Sequence, residues 1–275
     1  MMNIAMKHIF KILKFLGIVV LAVILAHGIS AVTLDRIIQY KKVTFRSSRL
    51  PAELDGYKIA FICDTHALPA EELEKVVRKL NKRQLDLLLL GGDFPSRGGA
   101  EKRTMEILSR VETTDGIYGV EGNHDFRSVL FRAMREHGIH SLANSGVHVR
   151  ERFFLAGLAE FWTRRANVQQ AIKNAKPDDF VLLVTHNPDV TMVQDTTGVD
   201  LILSGHTHGG QATIFGLWAP YFTFHENITK YGQRFRSGWA KSRDGVPVFV
   251  SNGTGAYLPR VFARPQVIVL TLRAK

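Results

Sequence analysis

The sequence predicts an α/β protein in which strands and helices alternate in the first half and strands prevail in the second. Between residues 58 and 137, short apolar runs that suit buried strands alternate with segments whose apolar residues recur at helical spacing. From residue 147 onward, strand-like runs follow one another with a single further helical segment. Alternation implies parallel pairing with helices outside, whereas the strand-rich half implies mixed or antiparallel pairing.

In the first half, each element follows from a local pattern. Residues 58–63 and 85–90 are continuous apolar runs of strand length, and residues 117–120 form a shorter one. The segments that follow them place apolar residues, such as Leu73 and Val76, on one helical face. Helices are therefore predicted at residues 71–82, 102–111 and 128–137.

In the second half, one helix is predicted at residues 168–174. The other apolar runs are short enough for strands and are separated by polar or glycine-containing turns. Strands are predicted at residues 147–150, 153–156, 180–184, 201–203, 212–215, 248–251 and 267–272.

An apolar segment at the N-terminus stands apart from this pattern. Residues 15–34 contain no formally charged side chain. A helix of these 20 residues, at about 1.5 Å each, would just cross a hydrocarbon core about 30 Å thick. Three readings are open: an uncleaved membrane anchor, a signal peptide cleaved near residues 26–28 or at Ala31, and a buried core helix. We favour the anchor, in the bacterial cell membrane. Basic residues lie on both sides of the segment and do not decide its orientation.

Composition and charge limit the classes of protein to which the rest of the chain can belong. Apolar residues make up 45% and charged residues 22%, which argues against a disordered protein. The single cysteine, Cys63, excludes a disulfide scaffold and a cysteine-rich zinc module. Residues 35–275 fit one catalytic domain after an N-terminal segment 1–34. This domain carries 33 basic and 25 acidic side chains, a net charge of +8 that favours anionic partners.

Polar clusters follow five of the predicted strands. In open α/β sheets, sites form beyond the carboxyl ends of strands. Five of the eleven histidines lie in these clusters, so that their joint occurrence is more informative than any single residue. The clusters contain Asp64 and His66, Asp93, Asn123 with His124 and Asp125, His186, and His206 with His208.

Carboxylate, amide oxygen and imidazole donors suit Mn, Fe, Zn or Mg. The donors suffice for two cations if one carboxylate bridges them. Two such ions can activate a water and stabilise an in-line displacement at phosphorus.

The order of these motifs resembles that of the calcineurin-like metallophosphoesterases, over residues 54–272. The run 205–211 (GHTHGGQ) and the pair Arg264-Pro265 resemble a membrane-linked or exported bacterial branch. Members of that branch are phosphodiesterases, and some relatives cleave UDP-diacylglucosamine in lipid A synthesis. The resemblance implies a four-layer α-β-β-α sandwich of two mixed sheets, preceded here by the N-terminal apolar helix.

The resemblance also assigns roles to the residues. A metal-bridging hydroxide would be the nucleophile, and His124 would protonate the leaving oxygen or stabilise its charge. Many members carry an acid three residues after the bridging aspartate, where this chain has Ser96. Asp125 would then orient His124 instead. The implied ligands are Asp64, His66 and His208 for one metal, Asn123, His186 and His206 for the other, and Asp93 as the bridge.

Two features bear on the substrate. Arg97 is a candidate phosphate contact, although a solvated loop arginine is the plainer reading. Residues 215–239 contain eight aromatic residues mixed with basic ones, directly after His208. They either pack a small core under a loop or form a lip that admits a lipid chain, with Trp218 and Phe222 as candidate contacts.

These observations favour a membrane-associated, two-metal phosphoesterase that hydrolyses a lipid-linked phosphodiester or pyrophosphate. A phosphodiesterase for soluble nucleotides or nucleic acid is the alternative. Its weakness is that the basic residues are scattered, whereas binding nucleic acid needs a concentrated stripe. A non-catalytic scaffold is disfavoured because every expected ligand position is filled.

Overall fold

A computed structural model describes residues 4–66, 68–95, 100–224, 228–255 and 259–275. The strands are β1 (Gln39–Ser47), β2 (Lys58–Ile62), β3 (Leu87–Leu90), β4 (Ile117–Gly119), β5 (His140–Ser141), β6 (Ser145–Arg150), β7 (Phe153–Gly157), β8 (Phe180–Thr185), β9 (Leu201–Ser204), β10 (Gly238–Lys241), β11 (Pro247–Val250) and β12 (Gln266–Ala274). The α-helices are α1 (Ile4–Val32), α2 (Ala70–Leu80), α3 (Ala100–Leu108), α4 (Arg127–Glu136), α5 (Val168–Ile172), α6 (Val190–Val193) and α7 (Pro220–Phe224).

The strands form two mixed sheets of six strands each. The first sheet has the order β1-β12-β2-β3-β4-β5, and the second has the order β10-β11-β9-β8-β7-β6. Strands β2 to β5 run parallel, as do β7, β8, β9 and β11. Antiparallel pairs occur between β12 and β2, β6 and β7, and β10 and β11.

Three apolar cores separate four layers. Between the sheets, Phe61 and Leu89 of the first sheet belong to the same buried cluster as Leu155 and Leu203 of the second. Helices α2, α3 and α4 cover the outer face of the first sheet. Helix α5 and the start of α6 cover the outer face of the second. The predicted four-layer fold is therefore confirmed.

Helix α1 projects from this sandwich. Its 29 residues span about 43 Å at about 1.5 Å per residue. The stretch Met6–Arg36 is long and apolar enough to cross a membrane, and the most apolar part of it is not buried. A signal sequence has the same properties, so the helix by itself does not distinguish an anchor from a signal peptide.

The predicted strand at residues 212–215 is wrong. Ala212 and Ile214 form only isolated bridges, to Val261 and Trp218. Positive φ angles at Gln211 and Phe215 turn the chain on both sides, which prevents an extended run. Three edge strands, β1, β5 and β10, were not predicted because none of them contains a continuous apolar run.

Candidate metal centre

The predicted site residues lie where the carboxyl ends of strands from both sheets meet. Asp64 follows β2, Asp93 follows β3 and Asn123 follows β4 in the first sheet. His186 directly follows β8 and His206 follows β9 in the second. Because these strands are parallel within each sheet and the sheets pack face to face, residues distant in sequence converge at one edge.

One group of possible ligands consists of Asp64, His66 and His208. Their donor atoms lie within 4.8 Å of one another. The two imidazole Nε2 atoms are 2.9 Å apart, and His208 Nε2 is 3.3 Å from Asp64 Oδ1. Asp64 and His66 are buried, while His208 is partly exposed. The three side chains could therefore hold one cation.

A second group consists of Asp93, His186 and His206, which are all buried. His186 Nε2 lies 3.2 Å from Asp93 Oδ2 and 3.1 Å from His206 Nδ1. Asn123 Oδ1 also lies 3.1 Å from His186 Nε2. Four potential ligand atoms, two of nitrogen and two of oxygen, therefore surround one position.

The two groups are contiguous. Asp93 Oδ2 is 3.6 Å from His66 Nε2 of the first group, and Asp64 Oδ1 is 3.9 Å from His186 Nε2 of the second. Asp93 thus lies between the groups, as the bridging role implied by the family resemblance requires.

Backbone hydrogen bonds orient the second group toward a cation. A carbonyl oxygen can only accept, so His206 Nε2 donates to Ile228 O at 2.8 Å and His186 Nδ1 donates to Gly91 O at 2.8 Å. The other ring nitrogens, His206 Nδ1 and His186 Nε2, therefore face each other and the oxygens of Asp93 and Asn123. This convergence of acceptors fits a divalent cation, with each histidine oriented through its second nitrogen.

The charges in the site are strongly coupled. Burial favours the neutral acids, but the neighbouring histidines outweigh it: His208 and His186 hold the pKa of Asp64 far below its usual range, and His186 lowers that of Asp93 to about 2. Burial opposes a charge on His186, yet Asp93 and Asp64 raise its pKa to about 10. Burial, reinforced by His186, lowers the pKa of His206 to about 3. Protonated His186 thus supplies a positive charge between the two buried carboxylates. A metal cation bound here would take the place of that proton.

The backbone at this site is conformationally unusual. Five of the seven predicted ligands have φ between 39° and 72°, a region that non-glycine residues rarely occupy. Such conformations cost about 1–3 kcal/mol each and cluster at functional sites. Gly122 and Gly205 are required nearby, since a Cβ on either would overlap the carboxylate of Asp93 or Asp64. The five residues are Asp64, His66, Asp93, His206 and His208.

His124 and Asp125 have different surroundings. The exposed His124 ring contacts the His66 ring edge to face, with centroids 5.4 Å apart. The Asp125 carboxylate accepts N–H bonds at 2.8 Å from Gly122, Asp93 and Phe94. Burial, together with the Asp93 charge, raises the pKa of Asp125 to about 7. Asp125 therefore ties two ligand loops together, and this set of contacts differs from its predicted role of orienting His124.

The two aromatic residues predicted to contact the substrate differ in their exposure to solvent. Trp218 is 40% exposed, whereas Phe222 is 5% exposed and packs beneath the surface. Trp239, in the same aromatic stretch, packs against Phe45 and Phe249 on a different part of the surface. Arg97 and Ser96 lie outside the described residues.

Two nearby residues were not predicted. Arg260 is fully buried and donates to the carbonyl oxygens of His208, Gly255 and Ala263. Trp162 lies with its ring centroid 6.4 Å from that of His206. Neither belongs to a metal-ligand pattern, and only their position in the fold reveals them.

Comparison with known proteins agrees with this geometry. Residues 57–210 match the family model described as calcineurin-like phosphoesterase. The chain belongs to this family. The predicted family and enzyme class, a metal-dependent phosphoesterase hydrolase, are thereby confirmed.

Relatives of this calcineurin-like phosphoesterase are distant in sequence. An uncharacterized metallophosphoesterase of Bacillus subtilis is 25% identical, with 84% of each chain covered. One of Helicobacter pylori is 25% identical over 77% of this chain and 58% of its own length. A transmembrane protein with metallophosphoesterase domain from Danio rerio is 24% identical over 94% of this chain and 62% of its own length. The chain thus spans less than two thirds of the latter two, and none of the three names specifies a substrate.

We expect Asp93→Ala to lower metal content and to reduce phosphoesterase turnover by more than about 100-fold. Changes behind metal ligands already cost about 10–100-fold in metal affinity, and this carboxylate lies between both groups. His206→Ala should mainly deplete the second ion. Metal analysis and turnover of the purified variants test this, with the exposed His140→Ala as the control. Full metal content and normal turnover in Asp93→Ala would contradict the assignment.

Asp125→Asn should lower both the melting temperature and the metal affinity. An amide in place of one oxygen would face backbone N–H groups, and a buried unsatisfied donor costs about 1–3 kcal/mol. Thermal melts and metal titrations measure the two effects, with the exposed Asp178→Asn as the matched control. If Asp125→Asn behaves like that control, the carboxylate does not hold the two loops together.

Proposed function

We propose that this phosphoesterase binds two divalent cations and hydrolyses a lipid-linked phosphodiester or pyrophosphate at a membrane surface. The observation that carries the membrane part is the packing of the end of α1 on the loop that follows the metal ligands. The cations would be Mn, Fe, Zn or Mg, because the donors are carboxylate, amide and imidazole groups. When bound, they supply a water-derived nucleophile at neutral pH and neutralise negative charge on the phosphate.

His124 is the proposed proton donor. Its backbone N–H donates to Asp93 Oδ1 at 2.8 Å, which fixes the residue beside the metal groups. Its side chain is exposed and therefore accessible to a substrate. An alkoxide leaving group needs a proton, and a positioned histidine can supply it. Asp125 supports the reaction indirectly, by holding the Asp93 and Gly122 loops in register.

The last turns of α1 contact the catalytic domain through specific interactions. The His27 ring packs edge to face against Phe215 and Phe262, with centroids at 4.6 and 4.9 Å. The Ser30 hydroxyl donates to Asp35 at 2.6 Å, and that same carboxylate accepts the Phe262 N–H at 2.7 Å. Cleavage directly after residue 27 or 28 would remove His27 and its two ring contacts, and cleavage after Ala31 would remove Ser30 as well. These contacts support an uncleaved anchor at residues 1–34 joined closely to a catalytic domain at 35–275.

An apolar surface lies beside this junction. Ala219 packs against Gly210 of the turn that carries His208, so the segment 214–221 is close to the metal groups. On the other side, Phe215 contacts α1. Apolar side chains in this position would reach the lipid surface and the apolar tail of a substrate. We call this surface the lip, and its exposed members are Ile214, Phe215, Leu217, Trp218 and Tyr221.

We expect His124→Ala to reduce turnover of substrates with alkoxide leaving groups by about 10²–10⁴-fold, the usual contribution of general acid catalysis. The loss should be much smaller for 4-nitrophenyl esters, whose leaving group needs little protonation. Metal content should stay unchanged. An equal loss on both substrate classes would leave His124 a positioning role only.

The double variant Leu217→Ser/Trp218→Ser should raise the apparent KM for a lipid phosphodiester in vesicles by about tenfold. Each apolar side chain that enters a lipid surface contributes roughly 1 kcal/mol or more. The KM for bis(4-nitrophenyl) phosphate should change little by comparison. Trp239→Ser, equally exposed but away from the lip, is the control.

Melting curves separate this account from simple packing. If the lip residues only cover a small core, the double variant lowers the melting temperature and depresses activity on both substrates alike. That result would contradict the membrane part of the proposal and leave the phosphoesterase chemistry intact.

A further inference from the structure

A cavity of about 370 Å³ lies near His206 of the second metal group, since Trp162 in its wall neighbours the His206 ring. Phe161, Trp162 and Tyr231 provide aromatic walls, Arg164 and Lys230 provide cations, and Asp189 lies in the wall. Its volume would accommodate a single ring with its substituents. None of the predicted site residues that the structure describes lines it.

Two contacts place the cavity next to the reaction site. The Trp162 ring centroid is 6.4 Å from that of His206. Ile228 O accepts the His206 Nε2–H at 2.8 Å, and Lys230, which lines the cavity, follows two residues later. The cavity therefore lies close to the position that a substrate phosphorus would take at the metal ligands.

The two cations of the cavity are available for an anion. Arg164 and Lys230 are exposed, and neither forms a salt bridge within the described part of the chain. Neighbouring Arg165, by contrast, is paired with Glu121 at 3.4 Å. Among the described residues that line the cavity, Asp189 is the only acid, and it already accepts the Thr229 hydroxyl at 2.6 Å and the Lys230 N–H at 2.8 Å. A phosphate in the cavity would therefore face the positive charges of Arg164 and Lys230, while the Asp189 carboxylate already accepts two hydrogen bonds.

The aromatic wall is held in place by the buried carboxylate of Glu160. It accepts the N–H groups of Trp162 at 2.7 Å and Thr163 at 2.8 Å. The Gln194 side chain fixes the far end of the segment 160–168. Its amide N–H donates to Ala166 O, and its amide oxygen accepts the Val168 N–H. A held tryptophan face can stack on a planar or sugar ring at little entropic cost.

We propose that this cavity binds a second phosphate of the substrate together with the ring that carries it, so that the substrate is a diphosphate rather than a simple diester. The inference rests on the proposed function. The phosphate would contact Arg164 and Lys230, and the ring would stack on Trp162. In the hydrolysis, a water oxygen bonds to the phosphorus at the metal ligands. The bridging oxygen leaves with the second phosphate and takes a proton.

Binding can be measured without turnover, through tryptophan fluorescence. The chain has three tryptophans, so the full-length double variant Trp218→Phe/Trp239→Phe leaves Trp162 as the only one. We expect adenosine 5′-monophosphate or glucose 1-phosphate to change its fluorescence saturably. Inorganic phosphate, which lacks a ring, should give a weaker response. The two ring phosphates distinguish a nucleoside from a sugar.

Charge variants test the phosphate contact. Arg164→Gln/Lys230→Gln, introduced into the Trp218→Phe/Trp239→Phe protein, should weaken binding of the ring phosphate about tenfold or more. That factor is the equivalent of one lost charge-assisted hydrogen bond. The ratio of kcat/KM for a diphosphate diester to that for bis(4-nitrophenyl) phosphate should fall by a similar factor. Arg78→Gln/Lys82→Gln, two exposed cations on or near α2, is the matched control and should leave both quantities unchanged.

The outcomes are separable from those of the proposed function. Equal responses to inorganic phosphate and both ring phosphates, or unchanged affinity in Arg164→Gln/Lys230→Gln, would overturn the inference even if the diester is hydrolysed. Absence of metal-dependent hydrolysis of both bis(4-nitrophenyl) phosphate and the diphosphate diester would instead refute the proposed function, whatever the fluorescence shows.

Discussion

Two buried carboxylates that need positive charge beside them determine the organisation of this molecule. Asp64 and Asp93 lie almost without solvent contact at the seam between the two sheets. An isolated buried carboxylate is costly, and here its compensation comes from imidazoles contributed by the opposite sheet. The face-to-face sandwich is what brings acids of one sheet to histidines of the other. The same arrangement produces a set of ligands that fits divalent cations.

The surrounding chain holds these ligands at some conformational cost. Positive φ angles recur at the ligand positions, and Gly122 and Gly205 leave room for the carboxylates. Asp125 binds two of the loops through three backbone N–H groups, and Arg260 binds the His208 carbonyl from behind. The metal loops are thus supported mainly through their backbone, and substitutions one layer behind the ligands should affect metal binding.

Much of this was predictable from sequence, since apolar runs followed by Asp, Asn or His are local patterns that fix both a strand and its functional end. What escaped prediction depends on long-range packing. β1 carries no apolar run and is a strand only because it pairs with β12. Whether Phe222 faces a substrate or the interior depends on how α7 packs on the rest of the fold. Trp162 and Arg260 acquire their importance from neighbours distant in sequence.

Anomalous diffraction from crystals of the manganese-loaded protein tests the central claim most directly. The account predicts two peaks per chain, about 3.5–4 Å apart as in other two-metal sites. One should lie among Asp64, His66 and His208, the other among Asn123, His186 and His206, with Asp93 between them. A single peak, or peaks outside these residues, would contradict it.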